Sequence, residues 1–192
     1  MNKINMTLPN RHTVIRIILT PVFLFFFLAD YIPHNNIIAL IIFVVAALTD
    51  MADGKIARKR NLITTFGKLC DPLADKMLTT AALLAFMELG LCNVWIIMVI
   101  LTREFLVTSF RLVASAQGVV IAAGIWGKLK TASQMVFSII IMFAIHFFEH
   151  YSLDFGILSV ASNVMLGITA LLTVISGIKY IVDGVKVIDI SM

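Results

Sequence analysis

The sequence predicts an all-α integral membrane protein, a six-transmembrane-helix bundle with a short N-terminal interfacial segment. Three observations predict it. Of 192 residues, 60% are hydrophobic and 14% charged, and the mean hydropathy is +1.02. A soluble domain carries roughly 25% charged residues, so too little polar surface is present here to cover one soluble globule. Apolar runs of helical length recur along the chain, separated by short polar breaks. Finally, the charged residues sort onto two very unequal faces. A span uses about 20 apolar residues, which leaves no room for a separate soluble domain. Residues 1–192 therefore read as a single membrane domain.

The first thirteen residues, MNKINMTLPNRHT, are too polar for a secretory signal, and their start fits an interfacial segment ahead of Pro9. A first span is predicted over residues 14–31, through the aromatic run Phe23 to Phe27, and Pro33, His34, Asn35 and Asn36 make a turn. The second begins near Ile37 and runs into the polar string TDMADGKIARKR. A third covers 71–91. Asn93 opens the fourth, which turns polar after Leu101, and 118–127 link it to a fifth over 128–148. The sixth covers 155–181.

With six spans, the loops near residues 30–36, 88–93 and 148–155 share one face. They carry Asp30, Glu88, Glu149 and Asp154 and no lysine or arginine, so all fifteen basic residues fall on or towards the other face. The positive-inside rule then places both termini in the cytoplasm, with the 55–70 and 115–128 connections. A pI of 9.2 raises nucleic acid as a partner, but no basic stripe interleaved with aromatics is present, so none is expected. An anionic bilayer face and phosphate-bearing substrates explain the bases better. Cys70 and Cys92 lie in apolar surroundings with no CxxC or Cys/His pair, and read as buried apolar residues.

Four carboxylates break the apolar pattern at the cytoplasmic ends of spans two and three: Asp50, Asp53, Asp71 and Asp75. A carboxylate inside a membrane costs roughly 2.5–3.5 kcal/mol on insertion scales, so it needs a partner or a function. Pairing with neighbouring bases (Asp53 with Lys55 or Arg58, Asp75 with Lys76) accounts for any one of them, but poorly for all four. Asp50 and Asp53 stand i, i+3 on a helix, and Asp71 and Asp75 i, i+4, so each pair shares a face. Antiparallel helices joined by a short loop would bring the pairs together, where they would repel unless cations intervened. An all-oxygen set suits hard divalent ions, and four carboxylates suffice for two. Gly54 and Gly67, between the acids, fit close backbone approach to a ligand or facing helix. Gly90 and Gly167 read more readily as small residues at helix packing contacts.

The run Asp50-x2-Asp53-Gly54-x2-Ala57-Arg58, then eight residues, then Gly67-x3-Asp71-x3-Asp75, resembles the signature of the CDP-alcohol phosphatidyltransferase family in every residue and spacing. The resemblance implies a transferase that moves a phosphatidyl group from CDP-diacylglycerol to an alcohol and releases CMP. It assigns Asp50, Asp53, Asp71 and Asp75 to two divalent cations, Mg2+ before Mn2+, and makes Asp75 the catalytic general base. It places Asp50, Gly54, Arg58 and Gly67 in the CDP-diacylglycerol site, and implies a homodimer. The chemistry is coherent with these residues: cations neutralise the diphosphate, a carboxylate takes the hydroxyl proton, and the donor's acyl tails stay in lipid.

Acceptor choice is expected in the remaining intramembrane bases. Arg103 and Arg111 are eight residues apart on one face of the fourth span, Lys128, Lys130 and Thr131 open the fifth, and Lys59 sits beside the signature. Snorkelling onto anionic lipid explains Lys128 alone, but two arginines inside an apolar stretch describe a pocket for a phosphorylated acceptor, since arginine grips phosphate bidentately. The strings Thr102-Arg103-Glu104 and Gly127-Lys128-Leu-Lys130-Thr131-x2-Gln134 resemble the bacterial branch of the family whose acceptor is glycerol 3-phosphate, which implies a bacterial cell membrane. So does Pro9-Asn10-x2-Thr13-x2-Arg16 followed by Pro21, with Arg11-His12 where that branch usually has apolar residues. This resemblance makes Asn10 and Thr13 cytidine contacts and puts Arg16 near the phosphates. Serine, inositol phosphate or phosphatidylglycerol as acceptor is the alternative within the family, and an unphosphorylated acceptor leaves the bases without a purpose. A small ion or proton transporter is the alternative outside it, but a transporter needs polar residues near the midplane and on both sides, and here they crowd one face.

Overall fold

The computed structural model describes residues 8–60, 65–117 and 124–185, with side chains described for 14–49, 76–115, 117 and 124–184. The described residues form six helices: α1 (Leu8–Leu28), α2 (Asn35–Arg60), α3 (Thr65–Glu88), α4 (Val94–Ala116), α5 (Ile125–His150) and α6 (Phe155–Val185). The interfacial segment expected ahead of Pro9 lies outside the described residues. Three helices start earlier than hydropathy places their spans: α1 at Leu8, α3 at Thr65 and α5 at Ile125. At the other end of its own span, α2 runs on to Arg60, past an apolar stretch that closes at Thr49. Hydropathy marks where a helix is apolar, whereas backbone hydrogen bonding carries it on through polar residues. Asp71 and Asp75 therefore sit inside α3 and not at its start.

The chain divides into two compact units, Met1–Ala85 with Met142–Leu153, and Phe86–Ile141 with Asp154–Met192. In the first, α1 packs along α2. Phe23, Phe27 and Phe43 are buried, with ring centroids 5.5 Å apart for Phe23–Phe27 and 5.6 Å for Phe23–Phe43. Ala39 and Ala46 are fully buried beside them and keep the helices close. Where α2 begins, the Asn36 amide donates to Glu149 on the last turn of α5 at 2.6 Å. α5 closes on Ser152 at φ 50, with Leu153 N–H donating to Phe148 O and Ser152 N–H to Glu149 O, the paired bonds of a Schellman cap.

The second unit is built on α4 against α6. Gly90, at φ +70, closes α3 with the same cap: Leu91 N–H donates to Phe86 O and Gly90 N–H to Met87 O. A Cβ at Gly90 or at Gly167 would meet nothing within 4 Å, so neither is the close packing contact expected of it; Gly90 is needed for its backbone angle. Asn93 caps α4 by accepting the Trp95 N–H at 2.9 Å. Three side chains of α6 secure this loop: Ser159 donates to Gly90 O at 2.7 Å, Ser162 donates to Leu91 O at 2.6 Å, and Asn163 Oδ1 accepts from Asn93 N–H at 2.8 Å.

The two faces of α6 reverse the soluble arrangement. Ile157, Val160, Val164, Ile168, Leu171, Ile175, Ile178 and Val182 are exposed, while Ser162, Thr169, Thr173, Ser176 and Tyr180 are buried. The inward hydroxyls of Thr173 and Ser176 donate to carbonyls one turn back, of Thr169 and Thr173. An apolar stripe of this length facing outward fits lipid and not water. Ile125–His150 and Phe155–Gly184 are long and apolar enough to cross a bilayer, whereas Val14–Leu28 and Asn35–Thr49 are shorter apolar segments.

Candidate active site

The signature occupies two helices of the first unit. Asp50, Asp53, Gly54, Arg58 and Lys59 lie on the last turns of α2, and Gly67, Asp71 and Asp75 on the first half of α3. At about 100° per residue, Asp50 and Asp53 are about 60° apart around α2, and Asp71 and Asp75 about 40° apart around α3. Each helix thus presents two carboxylate-bearing positions on one side, and four residues, 61–64, connect them. The donor set is carboxylate only, which fits hard divalent cations. These side chains, with those of Asn10 and Thr13 on α1, lie outside the described ones. Among the described residues no three His, Cys, Asp or Glu side chains converge as metal ligands. Arg16, one turn beyond Thr13, is buried, and its carbonyl accepts from Thr20 at 2.9 Å.

The second unit holds the basic residues expected for an acceptor. Lys130 is 2% exposed and donates to Glu104 Oε1, while Arg103 Nη1 stands 3.8 Å from the same oxygen. Two cations thus meet one carboxylate. Insertion of a lysine into an apolar bundle is tolerable only with such a counter-ion. The Arg103 stem runs past Gly177 on α6, and its Nη2 lies beside Gly127 on α5. Arg111, two turns further along α4, sets its guanidinium 5.8 Å above the Tyr180 ring, whose edge also meets Phe110 at 6.2 Å. Arg103 and Arg111 both border the α6 turn from Gly177 to Tyr180, as their shared face predicts. Lys128 and Lys130 do not share a face: two residues apart on a helix point roughly opposite ways, and Lys128 is exposed where Lys130 is buried. Thr131 is exposed, and its hydroxyl donates to Gly127 O at 3.1 Å.

The family model of the CDP-alcohol phosphatidyltransferases matches residues 6–176, across the signature and all of these bases. The chain belongs to this family. It is 39% identical over 185 residues to the CDP-diacylglycerol–glycerol-3-phosphate 3-phosphatidyltransferase of Bacillus subtilis, covering 90% of this chain and 92% of that one. A protein of the same description from Rickettsia felis is 36% identical, over 93% of this chain and 95% of its own. A probable phosphatidylglycerophosphate synthase of Mycobacterium tuberculosis is also 36% identical, over 93% and 82%. Family membership makes the chain a phosphatidyltransferase.

Several residues around the basic cluster of this phosphatidyltransferase carry no signal of their own in the sequence. Tyr180 and Gly177 read as part of an apolar span, and only the packing of α6 on α4 brings them to the arginines. Glu104 stands next to Arg103 in the chain, whereas its tie to Lys130 crosses from one helix to another. Elsewhere, burial pushes the Cys92 thiol up to about 12, in keeping with an unreactive apolar role. A hollow of about 210 Å³ lined by His34, Asn35, His146, Glu149 and His150 lies at the start of α2, the opposite end of that helix from the signature.

Proposed function

We propose that this chain transfers the phosphatidyl group of CDP-diacylglycerol to glycerol 3-phosphate, giving phosphatidylglycerophosphate and CMP. The observation that carries this reading is the complete signature on α2 and α3, supported by relatives over most of the chain whose names state this reaction. In this reading the primary hydroxyl of glycerol 3-phosphate attacks the β-phosphorus of CDP-diacylglycerol. A new P–O bond forms, the P–O bond to CMP breaks with its electron pair leaving on CMP, and Asp75 takes the hydroxyl proton. Asp50, Asp53, Asp71 and Asp75 hold two divalent cations, magnesium in preference to manganese. Bound there, the metals supply charge neutralisation at the diphosphate and the transferred phosphorus. Asn10 and Thr13 contact the cytidine, while Arg16, Gly54, Arg58 and Gly67 serve the CDP moiety.

The acceptor's phosphate is recognised by the basic residues Arg103, Arg111 and Lys130, with Lys59 and Thr131 contributing, while Lys128, exposed on the opposite side of α5, serves the anionic bilayer face. A phosphate competes with Glu104 for Arg103 and Lys130, so the cluster is held in place before substrate arrives and neutralised when it does. All six helices span the membrane as a homodimer, with both termini and the signature on the cytoplasmic side of a bacterial cell membrane, because the bases crowd the face that the positive-inside rule assigns there. Purified protein in detergent micelles tests the reaction class. CMP release from CDP-diacylglycerol should require glycerol 3-phosphate and match new lipid product one for one. CMP released at the same rate without an acceptor would make the chain a hydrolase and overturn the reading.

A further inference from the structure

We infer that Gly177 is a positioning residue for the acceptor: it is the notch in α6 through which the Arg103 stem passes, and its lack of a side chain sets where the guanidinium stands. The inference rests on the acceptor reading of Arg103 given above. A Cβ built at Gly177 would lie 2.9 Å from Arg103 Cγ, with Nε at 3.8 Å and Cβ at 3.9 Å. Carbon atoms prefer about 3.5–4.0 Å, so Cγ would have to retreat by at least about half an ångström. Cγ is near the root of the side chain, so the displacement passes to everything beyond it. At the far end there is room: a Cβ at Gly127 would meet Nη2 at 3.6 Å, an ordinary contact. The stem is therefore the constrained part, and the constraint comes from α6.

Around this notch the arginine is held on few sides. Its Nε has no hydrogen-bond partner among the described residues, and Nη1 reaches Glu104 only at 3.8 Å. Its placement thus depends on packing more than on directional bonds, and Gly177 supplies that packing. Gly177 lies on the buried side of α6, next to Ser176 and three residues before Tyr180, over which Arg111 sits. The same turn of α6 thereby borders both arginines. Alanine is the better helix former, so without the contact to Arg103 a Gly177→Ala change would be harmless to α6.

The test is a double-mutant cycle of Gly177→Ala and Arg103→Ala, reading KM for glycerol 3-phosphate, KM for CDP-diacylglycerol and the melting temperature. Gly177→Ala should raise KM for glycerol 3-phosphate about tenfold, since ångström-scale misplacement of a binding group costs one to two orders of magnitude. KM for the lipid should stay within about twofold. With Arg103 cut back to alanine, Cγ is gone and the remaining contact is the ordinary 3.9 Å to Cβ, so Gly177→Ala should then add nothing. The inference is overturned if Gly177→Ala raises both KM values alike, or has the same effect in the Arg103→Ala background. An Arg103→Ala protein with unchanged KM for glycerol 3-phosphate overturns the acceptor reading itself, and the notch with it. Should Gly177→Ala fail to fold, the double variant must restore folding; a double variant that also fails contradicts the clash.

Discussion

In the proposed reaction Asp75 is the residue on which the chemistry turns, because it would serve both as a metal ligand and as the base that takes the acceptor's proton. Replacing it with asparagine keeps the size and one oxygen donor while removing basicity. Asp75→Asn should lower turnover by about 10²–10⁴-fold, the usual contribution of a general base, with the melting temperature unchanged. Turnover within a few fold of the parent protein would remove Asp75 from the role of base. Such residues are legible in a single sequence because their spacing is fixed by the helix they ride on: Asp50, Asp53, Gly54, Gly67, Asp71 and Asp75 form a pattern without reference to anything distant. Gly177 and Tyr180 are not legible, since nothing in their neighbourhood of the chain is unusual for an apolar helix. Their parts emerge only when α6 lies against α4 and an arginine stem has to pass.

The helices themselves were legible in number and in order, as were the starts of α4 and α6 and the polar run of α2, whereas the starts of α1, α3 and α5 were not. Hydropathy starts the third span at Asp71, where the apolar run approaches, yet α3 carries residues 65–70 ahead of it as helix. Gly67 sits on that early turn and Asp71 and Asp75 just after it, so the late boundary and the functional site share one cause: residues chosen for chemistry break the apolar pattern without breaking the helix. Glycines were misjudged in the same manner. Gly90 and Gly167 read alike as small packing residues, but one is a left-handed cap and the other stands in open space on α6. Their substitutions should therefore diverge in sign. Gly90→Ala, forced to φ +70, should destabilise by about 1–2 kcal/mol. Gly167→Ala, free of any neighbour, should be neutral or stabilise by up to about 1 kcal/mol. Melting curves in one detergent compare the two directly, and an equal fall in both would put Gly167 back among the packing contacts.

Across the whole molecule, polarity is arranged for lipid. Isoleucines and valines face outward from α6 while Ser162, Thr169, Thr173 and Ser176 face in, so that burial removes hydroxyls from the bilayer. Composition alone reveals this environment, because 14% charge cannot clothe a soluble protein of 192 residues. The few charges are then free to be informative: fifteen bases and eleven acids, with none of these bases in the stretches 30–36, 88–93 and 148–155. In the proposed reading the choice of alcohol rests on those bases, two of which, Arg103 and Lys130, meet Glu104. The central claim is met most directly by an acceptor panel: purified protein, CDP-diacylglycerol and, in turn, glycerol 3-phosphate, serine, inositol phosphate and phosphatidylglycerol, each with and without magnesium. Phosphatidylglycerophosphate should form from glycerol 3-phosphate with magnesium, and no lipid product from any other acceptor or without a divalent ion. Efficient transfer to serine, which has no phosphate for the arginines to hold, would contradict it.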